Sequence, residues 1–234
     1  MIRRTLIAAA TTAALLSGCA ITPTAPPARA AAPLDLYLVR HGQTQWNLDK
    51  RLQGSTDNPL DATGRQQAAE LATKLGGVKF DHIYSSNLTR AKETAAAFSG
   101  ATPVTPLQAL NERSFGKFEG IFEDQRDAAR YAEFQKRGSV LTDTLDGGES
   151  LQSQADRVAG AVKQIVARHP SGNVAIVAHG GVNPLALAAL LDLPVAEAVQ
   201  RIKQGNDEVY LVRLRPGTPP SVWKQVTRVT LEQL

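Results

Sequence analysis

The sequence predicts an α/β fold, a three-layer α/β/α sandwich around a mostly parallel, mixed sheet. Three observations carry this. Short apolar runs at 36–39, 82–85 and 174–178, bounded by glycine or polar clusters, read as buried strands. They alternate with segments of helical periodicity, the pattern of strands joined through crossover helices. Two of the runs end alike, in Val39-Arg40-His41-Gly42 and in Val177-Ala178-His179-Gly180.

Composition bounds the rest. The chain has 234 residues, 43% hydrophobic and 21% charged, which is a globular composition. Lys plus Arg total 26 against 22 Asp plus Glu, an excess too small to point to nucleic acid. Residues 1–33 stand apart. Arg3 and Arg4 open a basic stretch, and 5–16 are apolar, alanine-rich and too short to span a bilayer. Leu16-Ser17-Gly18-Cys19 follows, with the chain's single cysteine, so an internal disulfide is excluded. The pattern resembles the signal peptide and lipobox of bacterial lipoproteins. That resemblance implies cleavage after Gly18 and membrane attachment through a lipid on Cys19. With Ala20 rather than Asp next, it implies a place in the cell envelope, on the periplasmic face of the outer membrane. The alternative is a plain secreted protein cut near Ala28-Arg29-Ala30. Residues 19–33, rich in Ala, Pro and Thr, read as a tether. Residues 34–234 remain as one domain, long enough to bury a core.

The domain divides as follows. Residues 34–39 form the first strand and 42–59 a polar loop. A helix is expected over 61–75, capped by Asp61 or Thr63 and ended by Gly76. A second strand covers 82–85, a second helix 87–98 with Leu88, Ala91, Ala95 and Phe98 on one face, and an extended run 103–107. The stretch 123–136 reads as a charged surface helix and 151–168 as a long helix. Strand 174–178 precedes helices at 184–191 and 195–203, and late strands are expected at 208–214 and 221–229. The sequence shows no internal repeat and carries no signal for an oligomeric state.

Ligands of α/β proteins bind at the C-terminal ends of strands. His41 and His179 both stand there, each before a glycine that lets the backbone turn and a ligand approach. Either histidine alone reads as structural; the repeated pattern points to a site. Arg90 falls in the first turn of a helix, where a cation opposes the helix dipole, so an anionic ligand is a reason for it. Glu112 lies in an irregular, glycine-punctuated segment. Glu149, beside two glycines at a helix start, is a rival acid with a simpler structural reading. His82 and His169 read as incidental, and no cluster shows metal-ligand spacing.

Taken in order, the motifs resemble the histidine phosphatase superfamily, in its phosphoglycerate mutase-like branch. They are Arg-His-Gly-Gln-Thr-x-Trp-Asn (40–47), Arg-x-Gln-Gly (51–54), Leu-x-x-x-Gly (60–64), Ser-Ser-x-Leu-x-Arg-Ala-x-Glu-Thr (85–94), Leu-x-Glu-x-x-Phe-Gly-x-x-Glu-Gly (110–120), Gly-Gly-Glu-Ser (147–150) and His-Gly-Gly (179–181). Asn183-Pro184 and Asp146 depart from the residues common in relatives. The resemblance implies a phosphohistidine mechanism without cofactor or metal, on a small phosphorylated substrate. In it His41 is the nucleophile, Arg40 and Arg90 clamp the phosphoryl oxygens, and a protonated His179 adds a third positive donor. Glu112 is the general acid and then base. Asn47, Gln53, Gly54 and Gly180 are implied as further substrate contacts.

A mutase carries a longer insertion after the catalytic glutamate and Gly-Asn after the second histidine. Here the segment is short and Gly180-Gly181 follows, which favours a phosphomonoesterase. The alternatives are a cofactor-dependent mutase-like phosphotransferase and a catalytically inactive lipoprotein that binds an anion or a partner. Selectivity is expected from 121–146 and from the region after Asn183.

Overall fold

The computed structural model describes residues 32–206, 208–224 and 227–229. The expected signal segment, Cys19 and nearly all of the tether lie outside the described residues.

The apolar run of β1 (Leu34–Arg40) lies at the heart of the sheet because both its faces are covered. Leu36 and Leu38 face one core and Tyr37 and Val39 the other, the period-2 alternation of a strand. The strand order is β3-β2-β4-β1-β5-β6-β7, with β2 (His82–Ser86), β3 (Val104–Leu107), β4 (Gly172–Ala178), β5 (Val209–Arg215), β6 (Thr218–Lys224) and β7 (Thr227–Val229). The first four strands in this order are parallel, whereas β5, β6 and β7 join antiparallel.

Helices α2 (Ala62–Leu75) and α3 (Thr89–Ser99) cover one face through Leu71, Leu75, Ala91 and Ala95. Helices α5 (Leu151–Arg168), α6 (Val182–Leu191) and α7 (Val195–Arg201) cover the other. Asp61 caps α2, its Oδ1 accepting from the Gly64 N–H at 2.7 Å, and Ser150 caps α5. The three layers are those the periodicity predicts.

Three local expectations change. The loop after β1 contains a short helix, α1 (Gln45–Leu48), closed by a reciprocal cap between Thr44 and Asn47. The charged helix begins later, as α4 (Ala128–Gly138), after a single 3₁₀ turn at Gln125–Asp127. The late run read as one strand is two, β6 and β7, paired antiparallel with each other. Gln225-Val226 includes no glycine, proline or asparagine to mark a turn, so alternation alone did not reveal the reversal.

The register decides where the chemistry sits. Arg40 pairs with Ala178, so the next residue on each strand leaves the sheet beside the other. Those residues are His41 and His179, and the His41 N–H donates to the Ala178 carbonyl at 3.0 Å.

Candidate active site

The two imidazoles are stacked at a tilt, their ring centroids 5.1 Å apart. Both are buried, His41 3% and His179 0% exposed. His41 Nδ1 lies 2.7 Å from its neighbour's carbonyl, Gly42 O. A carbonyl can only accept, so Nδ1 carries the hydrogen and Nε2 carries the free lone pair. The main chain of His41 is held from the far side, where Asn206 Nδ2 donates to its carbonyl at 2.6 Å.

Around this ring stand nitrogen atoms that lack partners. Arg40 Nε, Arg90 Nε and both ring nitrogens of His179 are buried with no hydrogen bond. Unmet buried donors are costly unless a ligand meets them. The remaining guanidinium groups are fixed by backbone carbonyls. Arg40 Nη1 donates to Gln204 O at 2.5 Å, and Arg90 Nη1 and Nη2 donate to Thr56 O and Gly54 O at 2.8 and 2.9 Å. Both arginines are thereby immobilised, with one face each left to recognise an anion. Burial pulls Arg90 down to about 10, against the opposing pull of Glu112, Asp57 and Glu119. It still carries its charge at neutral pH.

Both histidines sit well below the ordinary imidazole range. Burial is the main cause, followed for His41 by Arg90 and Arg40, and for His179 by Arg90, His41 and Arg40. A neutral His41 suits a nucleophile. The protonated His179 that the resemblance implies is disfavoured here first by burial and then by the charges of Arg90, His41 and Arg40.

Glu112 is held on both oxygens. Oε1 accepts from the Arg113 N–H and from Gln154 Nε2, each at 2.9 Å, and Oε2 accepts from the Gly181 N–H at 2.9 Å. Glu149 is elsewhere occupied, in a bidentate ion pair with Arg157 at 2.7 Å through each oxygen. His82 and His169 lie away from this cluster. Their rings are 5.6 Å apart; His82 Nε2 is bonded to Thr105 Oγ1, and His169 Nε2 to the Tyr84 hydroxyl.

The other expected contacts serve the frame of the site. Asn47 Oδ1 accepts from the Thr44 N–H at 3.1 Å, and Gln53 Oε1 lies 2.9 Å from the Thr44 hydroxyl. Gly54, at φ +55°, offers its carbonyl to Arg90. Gly180 lies under Arg40, where a Cβ would stand 3.3 Å from the guanidinium carbon. The glycines after the histidines are needed for space rather than for turning. Gly42, Gly180 and Gly181 are absent from the positive-φ positions, but a Cβ on Gly42 would stand 2.5 Å from the Gly64 carbonyl oxygen. This close approach also explains the glycine of the Leu-x-x-x-Gly motif.

Sequence reasoning assigned no role to Gln154, Gln204, Asn206 or Glu119. Glu119 gathers the 53–56 loop, accepting from the Ser55 N–H and hydroxyl at 2.8 Å, from Phe115 N–H at 3.0 Å and from the Thr56 hydroxyl. Burial would raise its pKa, but these hydrogen bonds outweigh burial and lower it. Its place in the 110–120 motif was the available signal.

Two cavities meet at Glu112. One, of about 500 Å³, runs between α4 and α7 past Gly180 and Gly181; the other, of about 440 Å³, lies toward Ser55, Asn111 and Arg157. Residues from both segments expected to set selectivity line the first: Phe134, Gln135, Gly138 and Ser139 on one side, Pro184, Val199 and Ile202 on the other. Asp146, whose role the sequence left blank, anchors this wall. It pairs with Lys117 at 2.7 Å and with Arg137 of α4 at 2.9 Å.

Residues 36–226 match the sequence profile of the histidine phosphatase superfamily, branch 1. The chain belongs to this superfamily. An Arabidopsis thaliana relative, phosphoglycerate mutase-like protein 4, is 34% identical over 205 residues, covering 83% of this chain and 86% of that protein. Among solved structures, mycobacterial glucosyl-3-phosphoglycerate phosphatase superposes with a TM-score of 0.72 at 30% identity, covering 85% of this chain and all of that one. Phosphoserine phosphatase from Entamoeba histolytica, solved with 3-phosphoglyceric acid, does so at 0.69 and 28%, covering 86% and 100%. Phosphatase- or mutase-type chemistry is therefore the activity class of this histidine phosphatase-fold domain.

Proposed function

We propose that the chain is a phosphomonoesterase that hydrolyses phosphate monoesters through a phosphohistidine on His41. The observation that carries this reading is the ring of unpartnered donors, Arg40 Nε, Arg90 Nε and His179, around the free Nε2 of His41. A phosphoryl group has three peripheral oxygens to offer them.

In the first step the His41 Nε2 lone pair forms a bond to phosphorus as the bond to the ester oxygen breaks. Glu112 in its acid form gives that oxygen its proton. The Gly42 carbonyl, fixed on Nδ1–H, stabilises the positive charge the ring acquires. In the second step Glu112 takes a proton from water, the water oxygen bonds to phosphorus and the P–N bond breaks. The dianionic substrate brings the negative charge that favours protonating His179 at that moment. Arg40 and Arg90 supply the charge that a metal supplies in other phosphoryl-transfer sites, so activity is expected to survive exhaustive chelation.

Rapid quench of Glu112→Gln with p-nitrophenyl phosphate tests the reading. A nitrophenolate leaves without a proton, so the variant should show a burst and an acid-labile, base-stable phosphoenzyme. His41→Ala should show neither burst nor turnover. Substantial turnover by His41→Ala with no trappable intermediate in either protein would overturn the assignment. Conversion of 3-phosphoglycerate to 2-phosphoglycerate would mark a mutase instead. The membrane anchor at Cys19 and a periplasmic location belong to the same proposal and rest on the sequence of residues 1–19.

A further inference from the structure

The larger cavity contains a buried cation that the reaction does not use. Arg113 follows Glu112 and is only 5% exposed. Its Nη2 donates to the Gly138 carbonyl at 2.8 Å, and its guanidinium carbon lies 5.4 Å from the centre of the Phe115 ring. Gly138 and Phe115 both line the cavity, so the guanidinium stands in its wall. Its Nη1 is buried and has no partner. Burial lowers its pKa, although Glu112, Glu149 and Asp143 pull the other way. The acceptor it does hold is a neutral carbonyl, whereas a buried guanidinium is best satisfied by an anionic one.

The rest of the wall is mixed: Gln135, Ser139, Gln154, Gln200 and Lys203 bring polar groups to it, and apolar side chains make up its larger part. Phe115, Phe134, Leu151, Pro184, Val199 and Ile202 supply that part. Glu112 lines the cavity together with Gly180 and Gly181, the two residues that follow His179, and it is the group that meets the ester oxygen in the proposed first step. The cavity is therefore on the side of the departing alcohol. At about 500 Å³ it is in the range of sites that enclose whole small organic ligands and is larger than a three-carbon acid requires.

We propose that this cavity is the leaving-group site. Its substrate class is phosphate monoesters of bulky, largely apolar alcohols that carry one carboxylate, and Arg113 is the residue that selects the carboxylate. This rests on the phosphatase reading for the placement of the phosphoryl group.

Three probes test it: 4-carboxybenzyl phosphate, its neutral carboxamide, and 3-phosphoglycerate, which has the carboxylate without the apolar body. Wild-type kcat/KM should favour the carboxylate over the carboxamide by about ten- to a hundredfold, the range of a charge-assisted hydrogen bond. It should also favour carboxybenzyl phosphate over 3-phosphoglycerate. Arg113→Met should collapse the first ratio, while Arg113→Lys, which keeps the charge and loses the planar fork, should restore part of it. Phe134→Ala should narrow the second ratio. A fall of both benzyl esters by the same factor in Arg113→Met would mean a structural role only. Equal wild-type rates on carboxylate and carboxamide would overturn the proposal even if the variants failed to fold. Calorimetric binding of the same three compounds to His41→Ala reads the preference without turnover. Retained preference in binding, with a wild-type protein that hydrolyses none of the three, would sink the phosphatase reading and leave the cavity assignment standing. No preference in binding would sink the cavity assignment alone.

Discussion

Gly181 donates its backbone N–H to Glu112 Oε2 at 2.9 Å, and a β-carbon on Gly181 would stand 2.5 Å from Glu112 Oε1. The residue that positions the carboxylate is thus also the one that no side chain can replace without displacing it. The clash falls on the far end of a flexible side chain, so Gly181→Ala moves Glu112 and spares the fold.

The expected outcome for Gly181→Ala is loss of proton transfer with stability retained. Turnover of an alkyl phosphate should fall by about 10²-fold or more, the usual worth of a positioned acid–base. Release of nitrophenolate in the first turnover should fall much less. Equal losses on both substrates would show that Gly181 supports more than Glu112.

Gln204 ties together elements distant in sequence. Its amide nitrogen donates to Leu38 O and Glu208 O at 2.9 and 3.0 Å, its amide oxygen accepts from Asn183 Nδ2 at 2.7 Å, and its main-chain carbonyl holds Arg40. Gln204→Ala removes these three side-chain hydrogen bonds, two of them buried, and should cost about 1–3 kcal/mol in urea unfolding. It should also weaken competitive inhibition by inorganic phosphate, since the carbonyl that fixes Arg40 loses its anchor. Unchanged inhibition would show that Arg40 is positioned without it.

Acid should weaken the fold before the carboxylates titrate. His41 and His179 are held well below the ordinary imidazole pKa in the native state, mainly by burial. In the unfolded chain they bind protons as pH drops through about 6.5. The unfolded state then holds more protons, so stability is fully present above that pH and is lost as pH falls below it. Each histidine contributes at most about 1.4 kcal/mol per pH unit. His82, also lowered, acts in the same direction. Urea titrations between about pH 5 and 6.5 should show this slope, and His179→Gln should reduce it. An unaltered slope in the variant would mean that His179 titrates normally in the folded protein.

Cys19→Ser should abolish lipid attachment and processing after Gly18. Mass spectrometry of the mature N-terminus and partition into detergent report both. Wild-type protein that partitions as soluble, with an N-terminus near Ala31, would refute the anchor.

How far the sequence reaches can be read from particular residues. Most strands and the longer helices follow from periodicity, and Asp61 was one of two caps open for α2, all signals that act within a few residues. The ordered motifs placed Arg40, His41, Arg90, Glu112 and His179 as site candidates, and the strand ends before glycine gave the reason two histidines belong together. The β6–β7 reversal was not legible, because Gln225-Val226 is not a turn-forming pair and the run around it stays β-prone.

By itself, then, the sequence determined what is local: which segments are strands, where each histidine leaves its strand, and which family pattern they compose. Only the tertiary structure decided what depends on distant partners. The pairing of Arg40 with Ala178 brings His41 beside His179. Gln154 of α5 meets Glu112, and Gln204, between α7 and β5, reaches the carbonyl of Leu38. Asp146 secures α4 through Lys117 and Arg137. The charge state of His179 belongs here too. A histidine's type is written in the chain, but its proton is set by burial and by the guanidinium groups that folding places around it.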